Sequence, residues 1–210
     1  MKCISWNIRG VGNFETQIHL FHMIKTHKPD FLFLAEPLIS FASFPSWFWT
    51  RLNLHNHVLN HTNSIPSLWC LWHKQYTVSI LLNKPQCIAF TYIDEGTPVF
   101  IAAIYASTFY IRRRELWLDL TSLIHANPGP WLFVGDFNSI LGAHEKLGGR
   151  IPLNIACTEF ISWTNNNSLI HMATNGAHYT WTNNREGGAF IANGWTGPFA
   201  MIGGLIFGAS

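Results

Sequence analysis

Trp131-Leu132-Phe133-Val134-Gly135-Asp136-Phe137-Asn138 is an apolar run that ends in a glycine turn carrying a carboxylate and an amide. Consecutive large apolar residues fit a strand buried on both faces, and the glycine ends it. The same design occurs twice nearer the amino terminus. Cys3-Ile4-Ser5-Trp6 runs into Asn7, with Gly10 and Gly12 beyond, and Phe31-Leu32-Phe33-Leu34-Ala35 runs into Glu36. Each strand therefore finishes with a group that can bind a hard cation or a phosphate, and loop residues held by a rigid sheet are where sites are commonly built.

Between these strands, apolar Ile18, Phe21 and Ile24, with Leu20 and Met23 beside them, recur at helical spacing from about Phe14 to His27, and Pro29 stops the helix. Residues 41 to 63, rich in Trp, Phe, His and Asn without a clear period, read as a long irregular loop with one short strand. Strands follow around Thr77 to Leu82, Cys87 to Tyr92 and Val99 to Tyr105, separated by Asn83-Lys84-Pro85 and Asp94-Glu95-Gly96. A second helix, about Ile111 to His125, places Leu116, Leu120, Leu123 and Ile124 on one side. A third spans Asn154 to about Asn165, before strands near Leu169 to Met172 and Tyr179 to Thr182. Strands outnumber helices and run in blocks, which predicts an α+β fold: two packed mixed or antiparallel sheets flanked by helices in an α/β/β/α sandwich.

The chain has 210 residues, 48% hydrophobic and only 11% charged, with ten tryptophans, which fits one core-rich domain and excludes disorder. A formal charge of +2 is far short of the basic excess of a dedicated DNA-binding domain. Cys3, Cys70, Cys87 and Cys157 are scattered, without a CxxC pair, which argues for reduced thiols and against structural zinc. No signal peptide is expected from MKCISWNIRG, and the apolar stretch from Pro198 to Phe207 is too short to cross a membrane. An intracellular protein, nuclear or cytoplasmic, is expected.

Glu36 and Asp136, with amide oxygens or water, are the oxygen ligands Mg²⁺ prefers, and Mg²⁺ typically takes one or two carboxylates plus substrate phosphate. Such chemistry suits phosphodiester cleavage. Spacing alone equally allows ordinary turns ended by polar residues, which Asp and Asn favour. His55, His57 and His61 have a spacing that could hold a transition metal, but no Cys or carboxylate lies near them in sequence.

The segments Ser5-Trp6-Asn7-Ile8-Arg9-Gly10, Leu34-Ala35-Glu36-Pro37, Ile104-Tyr105-Ala106-Ser107 and Gly135-Asp136-Phe137-Asn138 occur in the order and approximate spacing of the exonuclease-endonuclease-phosphatase superfamily. The chain resembles it over roughly residues 1 to 191. Arg112-Arg113-Arg114-Glu115-Leu116-Trp117, His144-Glu145-Lys146-Leu147-Gly148-Gly149-Arg150 and Tyr179-Thr180-Trp181-Thr182-Asn183-Asn184 are similar to the endonuclease region of plant LINE-type non-LTR retrotransposons. The resemblance implies a DNA phosphodiester endonuclease that uses Mg²⁺, with Mn²⁺ as a substitute. It makes Glu36 the metal-binding glutamate and Asn7 its neighbour at metal and phosphate. Tyr105 would face the scissile phosphate, Asp136 would orient or deprotonate the attacking water, and Asn138 would contact the phosphate. Arg9, Arg112, Lys146 and Arg150 are candidates for phosphate or DNA contact. A solvated first helical turn is the alternative for Arg112 to Arg114.

The superfamily continues into an Arg-Leu-Asp-Arg segment and a Ser-Asp-His motif, whereas no aspartate follows Asp136 here and no histidine follows His178. Past Ile191 the resemblance stops, and residues 192–210 read as a divergent, Gly-rich apolar tail. The expectation is an incomplete domain, truncated at its carboxy terminus, of little or no activity. An unpaired sheet edge would make it aggregation-prone. Alternatives are a non-catalytic nucleic-acid-binding fragment, a fragment without function, and a phosphomonoesterase or lipid phosphodiesterase of the same superfamily.

Overall fold

The computed structural model of the chain describes residues 1–142, 145–149, 152–172, 179–182, 192–194 and 199–201. In chain order the first elements are β1 (Cys3–Asn7), α1 (Phe14–His27), β2 (Phe31–Ala35), α2 (Ser46–Arg51), β3 (Asn56–Leu59) and β4 (Leu68–Trp72). They continue with β5 (Ser79–Lys84), β6 (Cys87–Asp94), β7 (Thr97–Tyr105), α3 (Tyr110–Ala126), β8 (Trp131–Asp136), β9 (Lys146–Leu147) and α4 (Asn154–Asn166). Last are β10 (Ile170–His171), β11 (Tyr179–Thr182), β12 (Ala192–Gly194) and β13 (Phe199–Met201).

One sheet has the order β1-β2-β4-β3 and the other β10-β13-β8-β7-β6-β5, with β11-β12-β9 as a small third sheet. Both large sheets are mixed, since β1 runs parallel to β2 and β7 parallel to β8 while the other pairs are antiparallel. The period of two along each strand sorts its side chains between layers. Phe31, Phe33, Leu68, Cys70, Phe90, Ile101, Ala103, Leu132 and Val134 fill the space between the two sheets. The alternate residues Leu32, Leu34, Trp69 and Leu71 pack beneath Leu20 and Ile24 of α1 and Phe48 and Trp49 of α2. On the far side, Phe100, Ala102, Trp131 and Phe133 meet Leu116, Trp117 and Leu120 of α3 and Phe160 and Trp163 of α4. The result is the expected α/β/β/α sandwich, and strands such as β2 and β4 are apolar throughout because both their faces are covered.

Helix α1 begins where the Asn13 side chain accepts a hydrogen bond from the Thr16 N–H at 2.7 Å, and it ends at left-handed Lys28 just before Pro29. Its bounds match the sequence reading.

Three differences have physical causes. Residues 41 to 63 hold the expected short strand, β3, but what precedes it is not irregular: Phe44, Phe48 and Trp49 bury a short helix against Trp69. Strand β4 gave no alternating pattern in sequence because Leu68 to Trp72 are all buried, though it lies at the centre of its sheet. Beyond Ile191, in the segment set apart as a tail, β12 pairs with β9 and β11, and Phe199, Ala200 and Met201 pair with Phe133, Leu132 and Trp131, extending the sheet past β8. The segment 183–191, His178 and residues 202–210 lie outside the described residues. No helix among the described residues is long and apolar enough to cross a membrane.

Candidate active site

The two parallel pairs bring four chain segments out at their carboxy-terminal ends. Asn7 is in register with Ala35, the residue before Glu36, and Tyr105 is in register with Asp136. Asn7 connects the two sheets: its side-chain N–H₂ donates to Glu36 Oε1 at 2.7 Å and to Asp136 Oδ2 at 3.2 Å. The Tyr105 hydroxyl crosses the same gap to donate to Glu36 Oε1 at 2.9 Å.

The loops are fixed by their own backbone bonds. Ile8, Gly10 and Val11 donate through their N–H groups to the carbonyls of Ala35, Glu36 and Pro37 at 2.9, 2.8 and 3.0 Å, so the chain after β1 is laced to the chain after β2. Glu36, with φ 54°, and Asn138, with φ 46°, sit in the left-handed region that side chains with a Cβ seldom enter. At Asn138 the strain is offset locally. Its N–H donates to Asp136 Oδ1 at 2.9 Å and its side-chain amide donates to the Ala106 carbonyl at 2.7 Å. Asp136 is thereby held through both oxygens, Oδ1 by Asn138 and Oδ2 by Asn7.

Burial pushes the Tyr105 hydroxyl well above its usual range, reinforced by its bond to Glu36 and by the negative charges of Glu36 and Asp136. The phenol is therefore a fixed proton donor at neutral pH. Asn7 Oδ1 is buried and has no hydrogen-bond partner among the described residues, a rare condition for a buried acceptor. That orphaned oxygen belongs to the amide whose N–H₂ donates to Glu36, and carboxylate and amide oxygens are the hard donors a divalent cation takes. No group of three His, Cys, Asp or Glu that could hold a metal gathers among the described residues, at this site or around His55, His57 and His61, and His57 stacks on Phe41 at 4.1 Å.

All five residues singled out by motif thus come together: Asn7, Glu36, Tyr105, Asp136 and Asn138. The basic candidates divide. Arg9 is exposed on the loop after β1, and Lys146 is half-buried on β9 of the third sheet. Arg112 is exposed on the first turn of α3, over the Phe109 ring, and shares a pocket with Tyr105. Arg150 lies outside the described residues. The Arg112 to Arg114 run is not a uniformly solvated turn. Arg113 is only 4% exposed and donates to the carbonyls of Ser107 at 2.8 Å and Thr108 at 3.3 Å, while Arg114 pairs with Glu159 at 2.6 Å.

Gln86 was not foreseen. Its carbonyl accepts from the Tyr105 N–H at 3.0 Å, its Oε1 accepts from the Ser107 N–H at 2.7 Å, and its Nε2 donates to the Arg112 carbonyl at 2.9 Å. A glutamine in a turn carries no sequence pattern that announces such a clamp.

A mixed-sheet α/β/β/α sandwich with carboxylates, amides and a phenol at its strand ends defines the nuclease and phosphatase class of hydrolase folds. Residues 4–196 match the Endonuclease/Exonuclease/phosphatase family, and the chain belongs to that family. Among solved structures it is similar to the endonuclease domain of TRAS1, a telomere-specific non-LTR retrotransposon, with TM-score 0.69 and 11% identity over 95% of this chain and 83% of that one. It is also similar to an AP endonuclease from Archaeoglobus fulgidus, with TM-score 0.67 and 12% identity over 98% and 100% of the two chains. TDP2 from Caenorhabditis elegans gives TM-score 0.63 and 16% identity, 95% of this chain matching 63% of that one. At these identities the likeness is one of fold. No curated protein matches the chain by sequence.

Proposed function

We propose that the cluster around Asn7 is the phosphodiester-cleaving site of a metal-dependent DNA endonuclease of plant LINE-type retrotransposon origin. The observation that carries this reading is the single Asn7 amide joining Glu36 to Asp136 across two sheets while its own oxygen stays unpartnered. The named solved structures are of DNA-processing kinds or of the same fold, and the motif segments favour the retrotransposon class among them.

Glu36 and Asn7 Oδ1 would hold Mg²⁺ or Mn²⁺, which stabilises charge developing on phosphate oxygens when bound. The protein groups do the rest. The Tyr105 hydroxyl, turned from Glu36, would hydrogen-bond a phosphate oxygen, and the amide of Asn138 would orient the phosphate. Asp136 would accept the proton of the water that attacks phosphorus while the P–O bond to the leaving sugar oxygen breaks, that oxygen taking its proton from solvent. Residues 1–210 contain no aspartate after Asp136 and no histidine after His178. A missing acid–base group typically costs ~10² to 10⁴ in rate, so these 210 residues by themselves turn over slowly or not at all.

The test is nicking of supercoiled plasmid by the purified, folded chain with Mg²⁺ or Mn²⁺, beside EDTA and Asp136→Ala controls. Weak metal-dependent nicking that is lost in the variant supports the assignment of the site. Salt-sensitive DNA binding without nicking places the chain among non-catalytic nucleic-acid binders. Absence of both binding and nicking refutes the proposal.

A further inference from the structure

We propose that the pocket beside Tyr105 receives one unstacked nucleobase of the strand whose phosphate lies at the site, an inference that rests on the nucleic-acid reading above. The pocket has a volume of about 260 Å³ and is walled by Gln86, Tyr105, Ser107, Thr108, Phe109 and Arg112. Tyr105 lines this pocket and its hydroxyl bonds Glu36, so the pocket adjoins the Glu36 site. Pockets for drug-sized ligands typically run ~300 to 1,000 Å³, and this smaller one suits a single ring system.

Phe109 is 67% exposed at the edge of this pocket. The Arg112 guanidinium lies 5.4 Å from its ring centroid, which keeps the ring in place and puts a cation beside whatever stacks there. Every base has a π face, so an exposed aromatic beside a cation is a stacking platform that tolerates sequence.

The floor is already fixed. Gln86 spends its carboxamide on Ser107 and Arg112, and the buried Arg113 guanidinium holds the carbonyls of Ser107 and Thr108. The backbone there has few groups left to read a base edge, and recognition falls to stacking. Purines, with the larger face, are therefore preferred, and single-stranded or bulged DNA is preferred over intact duplex, in which the base is already stacked.

The experiment uses the full 210-residue chain in EDTA with two labelled single strands, one carrying 2-aminopurine and one an abasic analogue at the same position. Binding is read by anisotropy and stacking by 2-aminopurine quenching. Phe109→Ala and Phe109→Leu, the latter keeping apolar bulk, are expected to weaken binding of the base-containing strand about tenfold and to abolish the quench, with abasic-strand affinity unchanged. Equal affinity and equal quenching in wild type and variants would overturn the stacking pocket while leaving DNA binding intact. Loss of affinity for both strands alike would overturn it in favour of a phosphate contact only. If the unaltered chain binds neither strand, this inference falls together with the nucleic-acid reading.

Discussion

Gly135 lies so close to Ile104 that a Cβ placed on it would overlap the Ile104 carbonyl oxygen and come within 2.8 Å of the carbonyl carbon. Its φ of 137° is also one that only glycine adopts without strain. The close approach is what lets β8 deliver Asp136 level with Tyr105. Gly135→Ala must therefore push two parallel strands apart at the site itself. The expected loss is more than about 3 kcal/mol of stability, measured by urea denaturation, and the same change at exposed Gly96, where nothing lies within 4 Å, costs only the strain of its positive φ of 85°.

Tyr105 gives a pH prediction whose sign follows from its surroundings. Burial, the bond to Glu36 and the nearby negative charges all raise its hydroxyl above the ordinary tyrosine value. A folded-state value above the unfolded one means that folding favours the protonated phenol. Its contribution is whole below about pH 10 and is lost as pH rises through the higher folded value. Ultraviolet titration of wild type against Tyr105→Phe should show no difference in tyrosinate near pH 10 and a difference of one tyrosine at more alkaline pH. A one-tyrosine difference already at pH 10 would mean that Tyr105 is solvated and not bonded to Glu36.

Arg113 and Arg112 are neighbours in sequence with different work. Arg113 is buried and holds two carbonyls of the loop that follows Tyr105, whereas Arg112 is exposed. Arg113→Met leaves those carbonyls without their charged donor and should cost about 2 to 4 kcal/mol. Arg112→Gln should stay within about 0.5 kcal/mol. Parallel chemical denaturation of the two variants checks this, and equal costs would contradict the burial of Arg113.

The division of that arginine run was readable in principle. Arg113, Leu116, Trp117, Leu120 and Ile124 are the buried residues of α3 and recur at helical spacing, so the stripe itself includes Arg113. The sequence reading began the stripe at Leu116 because an arginine is rarely fully buried. β1, β2 and β8 were plain because each is an apolar run cut off by a polar group, and the cutting groups Asn7, Glu36 and Asp136 are the ones that meet. β4 is as apolar and as buried as β2, but it runs into His73, with no carboxylate or amide to mark it as a site strand. The bond from Asn7 to Asp136 spans 129 positions and depends on how two sheets pack. No local pattern carries that information, so only resemblance could place those side chains together.

The orphaned oxygen of Asn7, on the amide that bonds Glu36, leads to a prediction about stability as well as catalysis. Without metal, Glu36 and Asp136 are two carboxylates bridged by one amide, and the bridge offsets only part of their mutual repulsion. Glu36→Gln removes one charge yet keeps a carbonyl oxygen able to accept from Asn7 and Tyr105, so the metal-free variant should melt no lower than wild type. A cation that binds only the folded chain stabilises it by about 2.7 kcal/mol at a hundred times its Kd, worth roughly 5 to 10 °C in a domain of this size. Wild type should therefore gain in Tm on addition of Mg²⁺ or Mn²⁺ and lose the gain to EDTA, whereas Glu36→Gln should show little or none. Differential scanning calorimetry with and without metal decides it. An equal metal-induced shift in both proteins would place the cation away from Glu36, and a large metal-free loss in the variant would mean that the carboxylate serves the fold instead of a cation.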